Sequence, residues 1–365
     1  TRKEAMSTQA QTKEDINQPP TVTLDQAACL ILDNPTVRFG LFGEPGIGKT
    51  SIEKILVRKS GYRAFILAMT EMELGDLALP TINHETKTTA FYPSERFGLH
   101  LGEPVIVILD EWTKAPKPVK NMTHGLLEAS NPRLGCLPAP DGSIILMTGN
   151  LASDGVGDSM EAHTSQRVVK LHISKPTAEQ WDVWAGANNM HHIIRAWVDR
   201  NPHCLASYLD DDQKGNEFIF NPRVQQNGCI SPRVLELISR MLYGRSSDAH
   251  ATHAGIAGIA GLSAADSISA YIRHNDGLPS FQDITDNPST AKLPVDPGAC
   301  AVLTFGMLER VNEVTLKPIL KYLRRLDEEW QCIFCIALAR NTQKQKFAFE
   351  EVEFANWVRD NEDLL

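Results

Sequence analysis

The chain has 365 residues, of which 42% are hydrophobic and 22% are charged, so it is long enough for two domains and apolar enough to bury a sizeable core. Its 36 lysines and arginines stand against 45 aspartates and glutamates, which gives a net charge of -9. This balance argues against a protein that coats nucleic acid, although it remains compatible with a local basic channel.

The cysteines and the apolar segments indicate the cellular compartment. The seven cysteines are odd in number and irregularly spaced, as is typical of reduced thiols in an intracellular protein. Cys332 and Cys335 form a CxxC inside WQCIFCIALA, a segment that predicts a buried helix. No apolar run reaches the ~18 residues that span a bilayer, and no signal peptide is visible. We therefore expect a cytoplasmic protein without a membrane span.

The first half of the chain has an alternating pattern. Residues 1–20 are polar, lack periodicity and end in Pro-Pro, so we expect a flexible arm there. From residue 21, strand-like and helix-like segments alternate, which predicts an α/β sandwich with a parallel central sheet. The predicted strands are 36–42, 63–69, 104–110, 143–150 and 167–173, and the predicted helices are 24–32, 50–59 and 119–130.

Two insertions and a helical second half complete the predicted organisation. Residues 75–103 are polar with scattered aromatics, and 133–142 contain a Pro-Asp-Gly turn, so each segment predicts a hairpin or a long insertion. After about residue 175 the patterns are helical, beginning with TAEQWDVWAGAN and ending with three helices between 298 and 360. We thus expect an arm at 1–20, a core at 21–176 with insertions near 75–103 and 133–142, and a helical region at 177–365.

Residues 43–50 read GEPGIGKT and match the pattern GxxxxGK[ST] between a predicted strand and a predicted helix. Glycines let the backbone curl so that its N–H groups point at phosphate oxygens, and the helix N-terminus adds the positive end of its dipole. In such a loop the lysine reaches the β- and γ-phosphates and the hydroxyl binds Mg²⁺. The predicted cradle for ATP and Mg²⁺ consists of Gly43, Glu44, Pro45, Gly46, Ile47, Gly48, Lys49, Thr50 and Ser51.

The apolar segment VIVILDE, at 105–111, ends in two acids. A strand of this kind is buried on both faces of a parallel sheet, and its carboxyl end lies where such sheets bind ligands. We expect Asp110 to hold Mg²⁺ together with Thr50, and Glu111 to polarise the water that attacks the phosphate.

One amide and two arginines complete the predicted site. Asn150 closes SIILMTGN, on a strand expected beside the acid-bearing one, where it would orient the water or contact the γ-phosphate. Arg167 opens the fifth predicted strand and would stabilise the transferring phosphoryl group from a neighbouring subunit. Arg233, in the first turn of the helix in ISPRVLELISRM, would sense the γ-phosphate. Arg133 is an alternative to Arg167, and Arg223 is an alternative to Arg233.

The motifs GEPGIGKT, VIVILDE, MTGN, SQRVV and ISPR occur in the order and spacing of AAA+ ATPases, and the chain most resembles the MoxR branch of that family. GDLALP is similar to the DLxGxP segment of that branch, and ISPRVLELISRM is similar to its SPRxxLxLLxxA helix. The resemblance extends over roughly residues 21–365, and it implies a P-loop NTPase αβα sandwich followed by a helical lid and C-terminal helices.

The resemblance also implies roles for single residues. It makes Gly43 to Thr50 the Walker A loop, Asp110 and Glu111 the Walker B pair, Asn150 sensor one, Arg167 the arginine finger and Arg233 the sensor-two arginine. At the finger this chain has Arg-Val where the family usually has Arg-Phe.

Function and partners are likewise implied by the resemblance. Members of the family form ring hexamers, hydrolyse ATP between subunits and remodel client proteins, often with a partner that carries a von Willebrand factor A domain. The insertions at 75–103 and 133–142 fall where the family places loops that face the pore or the client. Two alternatives stay open: an ATPase coupled to nucleic acid, such as a helicase loader or a restriction-type motor, and a nucleotide-gated scaffold with little turnover. The acidic balance disfavours the former alternative, and Glu111 disfavours the latter.

Overall fold

The computed structural model describes residues 20–151, 162–213, 215–244 and 248–364. The predicted arm at 1–20 lies outside these ranges, apart from its last residue. The described residues fall into two units, which meet between Lys175 and Pro176. The first unit is an αβα sandwich with a parallel central sheet, and the described part of the second is helical apart from one isolated bridge.

Six strands form the central sheet of the first unit, in the order β1-β10-β2-β9-β6-β3, and every neighbouring pair is parallel. The strands are β1 Thr21–Val22, β2 Phe39–Phe42, β3 Arg63–Ala68, β6 Val105–Asp110, β9 Ile144–Gly149 and β10 Val169–Ile173. The sequence predicts only five of them, because a two-residue edge strand such as β1 carries no periodicity. Strand β2 also begins later than predicted, since Val37 N–H donates to Asn34 O at 3.0 Å and closes a turn there.

Both faces of the sheet are covered, because successive side chains of β6 point to opposite faces and pack against different layers. Ile106 and Ile108 pack with α1 and α2 on one face. Val107 and Leu109 pack on the other face, against the layer that contains α4. All four side chains are fully buried, which explains the unbroken apolar run of this strand.

The helices of the first unit are α1 Leu24–Asp33, α2 Ile52–Ser60, α3 Leu74–Leu77, α4 Lys117–Thr123 and α5 Ala162–Ser165. A 3₁₀ turn at Lys49–Ser51 leads into α2, and another at His124–Leu127 follows α4. The helix predicted over 119–130 is therefore shorter than expected. Gly125 lies against the backbone of Arg133, where a Cβ would come within 2.7 Å of the Arg133 carbonyl oxygen, so the chain turns away there.

Both predicted insertions contain hairpins. The strands are β4 Ala78–Asn83 with β5 Thr88–Pro93 in the first hairpin, and β7 Arg133–Leu134 with β8 Leu137–Pro138 in the second. The two hairpins touch, because Cys136 N–H donates to Phe91 O at 2.9 Å. Gly135 makes this approach possible, since its φ is +60° and a Cβ there would lie 2.2 Å from the same oxygen.

Helices make up the second unit around one apolar core, whose largest fully buried side chains include Trp197, Phe305 and Tyr322. The helices are α6 Ala178–Ala187, α7 His192–Arg200, α8 Pro232–Tyr243, α9 Ala249–Ala260, α10 Leu262–Asp276, α11 Phe281–Asp286, α12 Pro297–Arg310, α13 Leu316–Leu323, α14 Glu328–Arg340, α15 Gln345–Glu350 and α16 Val352–Asp360. Cys335 lies buried on α14 as predicted, whereas Cys332 on the same helix is only half-buried. Burial raises the pKa of the Cys335 thiol to about 12.

The last part of the chain has more helices than the three predicted there. Asparagine side chains mark two of the breaks between them: Asn312 Oδ1 accepts from the backbone of Val314 and Thr315, and Asn341 Oδ1 accepts from that of Gln343 and Lys344. Such turns compete with helical hydrogen bonding. Within the described ranges, no helix has both the length and the apolarity to cross a bilayer.

Candidate functional site

The loop between β2 and α2 has a conformation that requires its glycines. Gly46 and Gly48 have φ values of +76° and +90°, in the left-handed region that disfavours side chains. At Gly43 the reason is packing, because a Cβ would lie 2.6 Å from Ile47 Cδ1 and 2.8 Å from the Ile173 carbonyl oxygen. Three glycines of the motif are thus explained by the curl of the loop and its contact with the end of β10.

Lys49 lies across this loop. Its Nζ donates to the carbonyl oxygens of Gly43 at 2.8 Å and Glu44 at 2.9 Å, and to Asn150 Oδ1 at 3.0 Å. Asn150 follows β9, which is the strand between β2 and β6. The structure therefore brings together two predicted site residues that are far apart in the sequence.

A second group of side chains surrounds Asp110, at the end of β6. Its Oδ1 accepts from Thr50 Oγ1 at 3.0 Å and from Thr148 Oγ1 at 2.5 Å. The Thr148 hydroxyl in turn accepts the backbone N–H of Glu111 at 3.0 Å. Thr148 is 1% exposed and lies on β9, directly beside β6. It therefore fixes both residues of the predicted acid pair.

Glu111 has an unusual backbone conformation. Its φ is +53°, which is uncommon for a residue other than glycine, aspartate or asparagine, and often marks a functional site. The side chain is 48% exposed and its Oε1 lies 3.9 Å from Lys114 Nζ. The chain thus turns sharply after Asp110, and the two neighbouring acids have different environments.

Glu44 takes part in an ion pair that the sequence does not predict. Its Oε2 lies 3.0 Å from Lys175 Nζ, and the two side chains are only 5% and 4% exposed. Lys175 follows β10, the strand on the other side of β2 from β9. A residue of the loop at 43–50, the predicted phosphate loop, is therefore paired with the last residue of the first unit.

Arg167 lies in a turn before β10 and does not open the strand as predicted. Its Nη1 is 2.7 Å from Glu128 Oε2 and 3.2 Å from His124 Nδ1, on the surface of the first unit. The alternative arginine, Arg133, belongs to the second hairpin and is also exposed.

The other two arginines belong to the second unit. Arg233 is exposed in the first turn of α8, whose N-cap is Ser231, with the Ser231 hydroxyl accepting from Val234 N–H at 3.3 Å. Arg223 is exposed in the loop before this helix. The role of either residue as a γ-phosphate sensor stays a prediction.

Two hard oxygen atoms fit a magnesium ion at this edge of the sheet. Thr50 Oγ1 and Asp110 Oδ1 are 3.0 Å apart, and a hydroxyl together with a carboxylate is the protein donor set that Mg²⁺ uses beside substrate phosphates. Ser51 supports the turn rather than this pair, since its Oγ donates to Gly48 O at 2.6 Å.

Thr148 and Lys175 are the members of this cluster that sequence reasoning missed. Thr148 is a polar residue inside the apolar run SIILMTGN, and Lys175 comes two residues after the end of β10. Both lie near the carboxyl end of a strand that neighbours β2. This position, where parallel sheets bind ligands, would have identified them as candidate site residues.

No protein-family model and no curated protein matches the chain. Among solved structures, a "putative ATPase" from Cytophaga hutchinsonii is similar over 62% of this chain, with 14% sequence identity and a TM-score of 0.32. This chain spans 61% of the length of that protein, which is less than two thirds. At this level of similarity the likeness carries no argument about activity.

Proposed function

We propose that this chain is an AAA+ ATPase of the MoxR type, which binds ATP with Mg²⁺ at residues 43–50 and hydrolyses it. The observation that carries the proposal is the convergence of Lys49, Thr50, Asp110 and Asn150, which come from three separate chain segments and are linked by side-chain hydrogen bonds of 3.0 Å. They meet at the carboxyl edge of a parallel sheet, where α/β proteins bind their ligands.

The loop would bind the phosphates through its backbone N–H groups and Lys49. The ammonium group now donates to the carbonyl oxygens of Gly43 and Glu44. Phosphate oxygens carry negative charge and are the stronger acceptors, so Lys49 would transfer to them. Thr50 and Asp110 would hold Mg²⁺, which neutralises charge on the β- and γ-phosphates when bound.

Hydrolysis would then depend on Glu111 and Asn150. Glu111 takes a proton from a water molecule as the water oxygen bonds to the γ-phosphorus and the bond to the β–γ bridging oxygen breaks, which releases ADP and phosphate. Asn150 accepts from Lys49 through its carbonyl oxygen, so its amide N–H groups can donate to the γ-phosphate or the attacking water.

The assembly and the partners follow from the resemblance. We expect a homo-oligomeric ring, most simply a hexamer, that acts on a client protein together with a partner carrying a von Willebrand factor A domain. Nucleic acid is the less favoured partner because the chain is acidic overall. Stimulation of ATP turnover by DNA rather than by a partner protein would favour a nucleic-acid motor instead.

Two substitutions test the nucleotide site. Lys49→Ala should abolish binding of a fluorescent ADP, whereas Glu111→Gln should bind it and release phosphate ~10²–10⁴-fold more slowly, the usual contribution of a general base. Lys54→Ala removes an exposed lysine of α2 and serves as the matched control. Unchanged ADP affinity in Lys49→Ala would contradict the cradle, and normal turnover in Glu111→Gln would remove that residue as the base. Protein captured by Glu111→Gln in ATP would identify the client.

Substitution of Arg167 tests whether this arginine contributes to hydrolysis at the nucleotide site of a neighbouring subunit. In the single chain the Arg167 guanidinium forms an ion pair with Glu128, and both side chains are partly exposed. Such a pair contributes about 1 kcal/mol or less to stability. The γ-phosphate of a nucleotide bound to a neighbouring subunit can therefore replace Glu128 as the partner of Arg167. Arg167→Ala should keep nucleotide binding and lose turnover. Mixing it with Lys49→Ala subunits should restore part of the turnover, because each variant supplies what the other lacks. Mixtures as inactive as the separate variants would argue against a contribution in trans.

A further inference from the structure

The ion pair between Glu44 and Lys175 is almost completely buried. Its two side chains are 5% and 4% exposed, and the charged atoms are 3.0 Å apart. Taking two charges out of water costs so much that buried ion pairs are often no more stabilising than apolar residues of the same volume. This pair joins the phosphate loop to the end of the first unit, which suggests a role in communication between them.

On the loop side, Glu44 is directly linked to Lys49. The carbonyl oxygen of Glu44 accepts from Lys49 Nζ at 2.9 Å, while its carboxylate meets Lys175. One residue thus contacts the side chain expected to grip the phosphates and the residue that ends the unit. When Lys49 leaves this carbonyl for a phosphate oxygen, the peptide of Glu44 loses a charge-assisted hydrogen bond and can reorient.

A second contact connects the same two segments. Gly43 packs so closely on the end of β10 that a Cβ would lie 2.8 Å from the Ile173 carbonyl oxygen. Ile47 and Ile173 are both buried in the core on this side of the sheet. Because packed interiors transmit strain, we expect a movement of the loop to act on Ile173 and the residues after it.

The segment after β10 is well placed to report such a movement. Ser174 N–H donates to Val22 O at 3.0 Å, which ties this residue to the edge strand β1. Lys175 is the last residue of the first unit and Pro176 begins the second. The ion pair therefore holds the last residue before the boundary between the two units.

We propose that the Glu44–Lys175 ion pair couples nucleotide occupancy of the phosphate loop to the junction at residues 174–177. The proposal rests on the nucleotide site proposed above and adds Lys175 as a positioning residue. Nucleotide draws Lys49 away from the Glu44 carbonyl, the carboxylate of Glu44 shifts with its backbone, and Lys175 follows the carboxylate. The junction is then held differently with and without nucleotide.

Hydrogen exchange in the full chain tests this coupling. A non-hydrolysable ATP analogue should slow exchange of the amides of Ser174, Lys175 and Thr177 by about fivefold in the wild type, since bound nucleotide orders the junction. Lys175→Met should lose most of this change, whereas Lys175→Arg, which keeps the charge, should retain it. Lys170→Met, at an exposed position of β10, is the matched control and should behave like the wild type.

Each variant is measured at saturation of its own binding curve, so altered affinity does not distort the comparison. If Lys175→Met does not fold, Lys175→Gln offers a neutral hydrogen-bond donor to Glu44 in its place and should also lose the change. A wild-type response in the folded neutral variants would overturn the coupling role. Normal nucleotide binding without any change in exchange would overturn it too, and leave the nucleotide site intact. Failure of the wild type to bind nucleotide would refute the proposed function, and the coupling with it.

Discussion

Thr148 holds the two predicted acids in place through one hydroxyl group. Its Oγ1 donates to Asp110 Oδ1 at 2.5 Å and accepts the backbone N–H of Glu111 at 3.0 Å, in a position only 1% exposed. Thr148→Val keeps the shape of the side chain but removes both hydrogen bonds. Asp110 and the Glu111 N–H would then each lose a partner that water cannot easily replace.

The size of the effect follows from these contacts. A hydrogen bond to a charged group contributes about 1.5–3 kcal/mol, and a buried donor without a partner costs about 1–3 kcal/mol. The two losses share one hydroxyl and are not independent, so we expect Thr148→Val to destabilise the first unit by about 2–4 kcal/mol. Turnover should fall more than nucleotide affinity, because the left-handed conformation of Glu111 loses the hydrogen bond that holds it.

Thr113 offers a control of the opposite kind. It is 2% exposed, and its Oγ1 has no hydrogen-bond partner in the described part of the chain. Thr113→Val should therefore be neutral or stabilising, since it replaces a buried hydroxyl that lacks a partner with a methyl group. Native-state hydrogen exchange of peptides from β6 and β9 measures both changes, and Thr148→Ser should restore most of the loss. Equal stability of the two valine variants, within about 0.5 kcal/mol, would refute the role given to Thr148.

Two further predictions concern stability. Gly98 has a φ of +69° and a Cβ there would lie 2.2 Å from Phe65 Cε2, so Gly98→Ala should lower the unfolding free energy by about 3 kcal/mol. Gly102 has a φ of +72° but open space around it, so Gly102→Ala should lower the unfolding free energy by only about 1 kcal/mol. Equal losses of the two variants in urea unfolding would contradict this difference. In the second unit, burial alone would raise the pKa of Glu309, but hydrogen bonds from His192 and Tyr243 and the electrostatic interactions with His192 and His191 together outweigh burial and lower it from 4.5 to about 2. Stability from this carboxylate is therefore present above pH 4.5 and is lost as the pH falls toward 2. The stability advantage of the wild type over Glu309→Gln should shrink by about 1–2 kcal/mol between pH 5 and pH 2.5, and a gap independent of pH would contradict the shift.

The sequence predicts the layers of the first unit well because each central strand is a continuous apolar run bounded by turns. It fails where tertiary contacts decide the local structure. Strand β1 is only two residues long and exists through pairing with β10. Gly125, in the 3₁₀ turn that follows α4, packs against the backbone of Arg133, a residue of the second hairpin. Neither contact leaves a periodic signal in the sequence.

In the candidate site too, local motifs are predictable from the sequence, whereas contacts between distant segments are not. The predicted phosphate loop at 43–50 is a local motif, and the spacing of its glycines alone predicts the curled backbone. The contacts of Thr148 and Lys175 are with residues distant in sequence, so only the order of the strands brings them to the loop.

That order is β10-β2-β9-β6 at the centre of the sheet, and each of these strands supplies a member of the site near its carboxyl end. Lys175 follows β10, the loop follows β2, Thr148 lies near the end of β9, and Asp110 ends β6. Parallel pairing brings the carboxyl ends of neighbouring strands together at one edge of the sheet. A polar residue at the carboxyl end of a strand next to β2 is therefore a candidate site residue even where no motif is recognised.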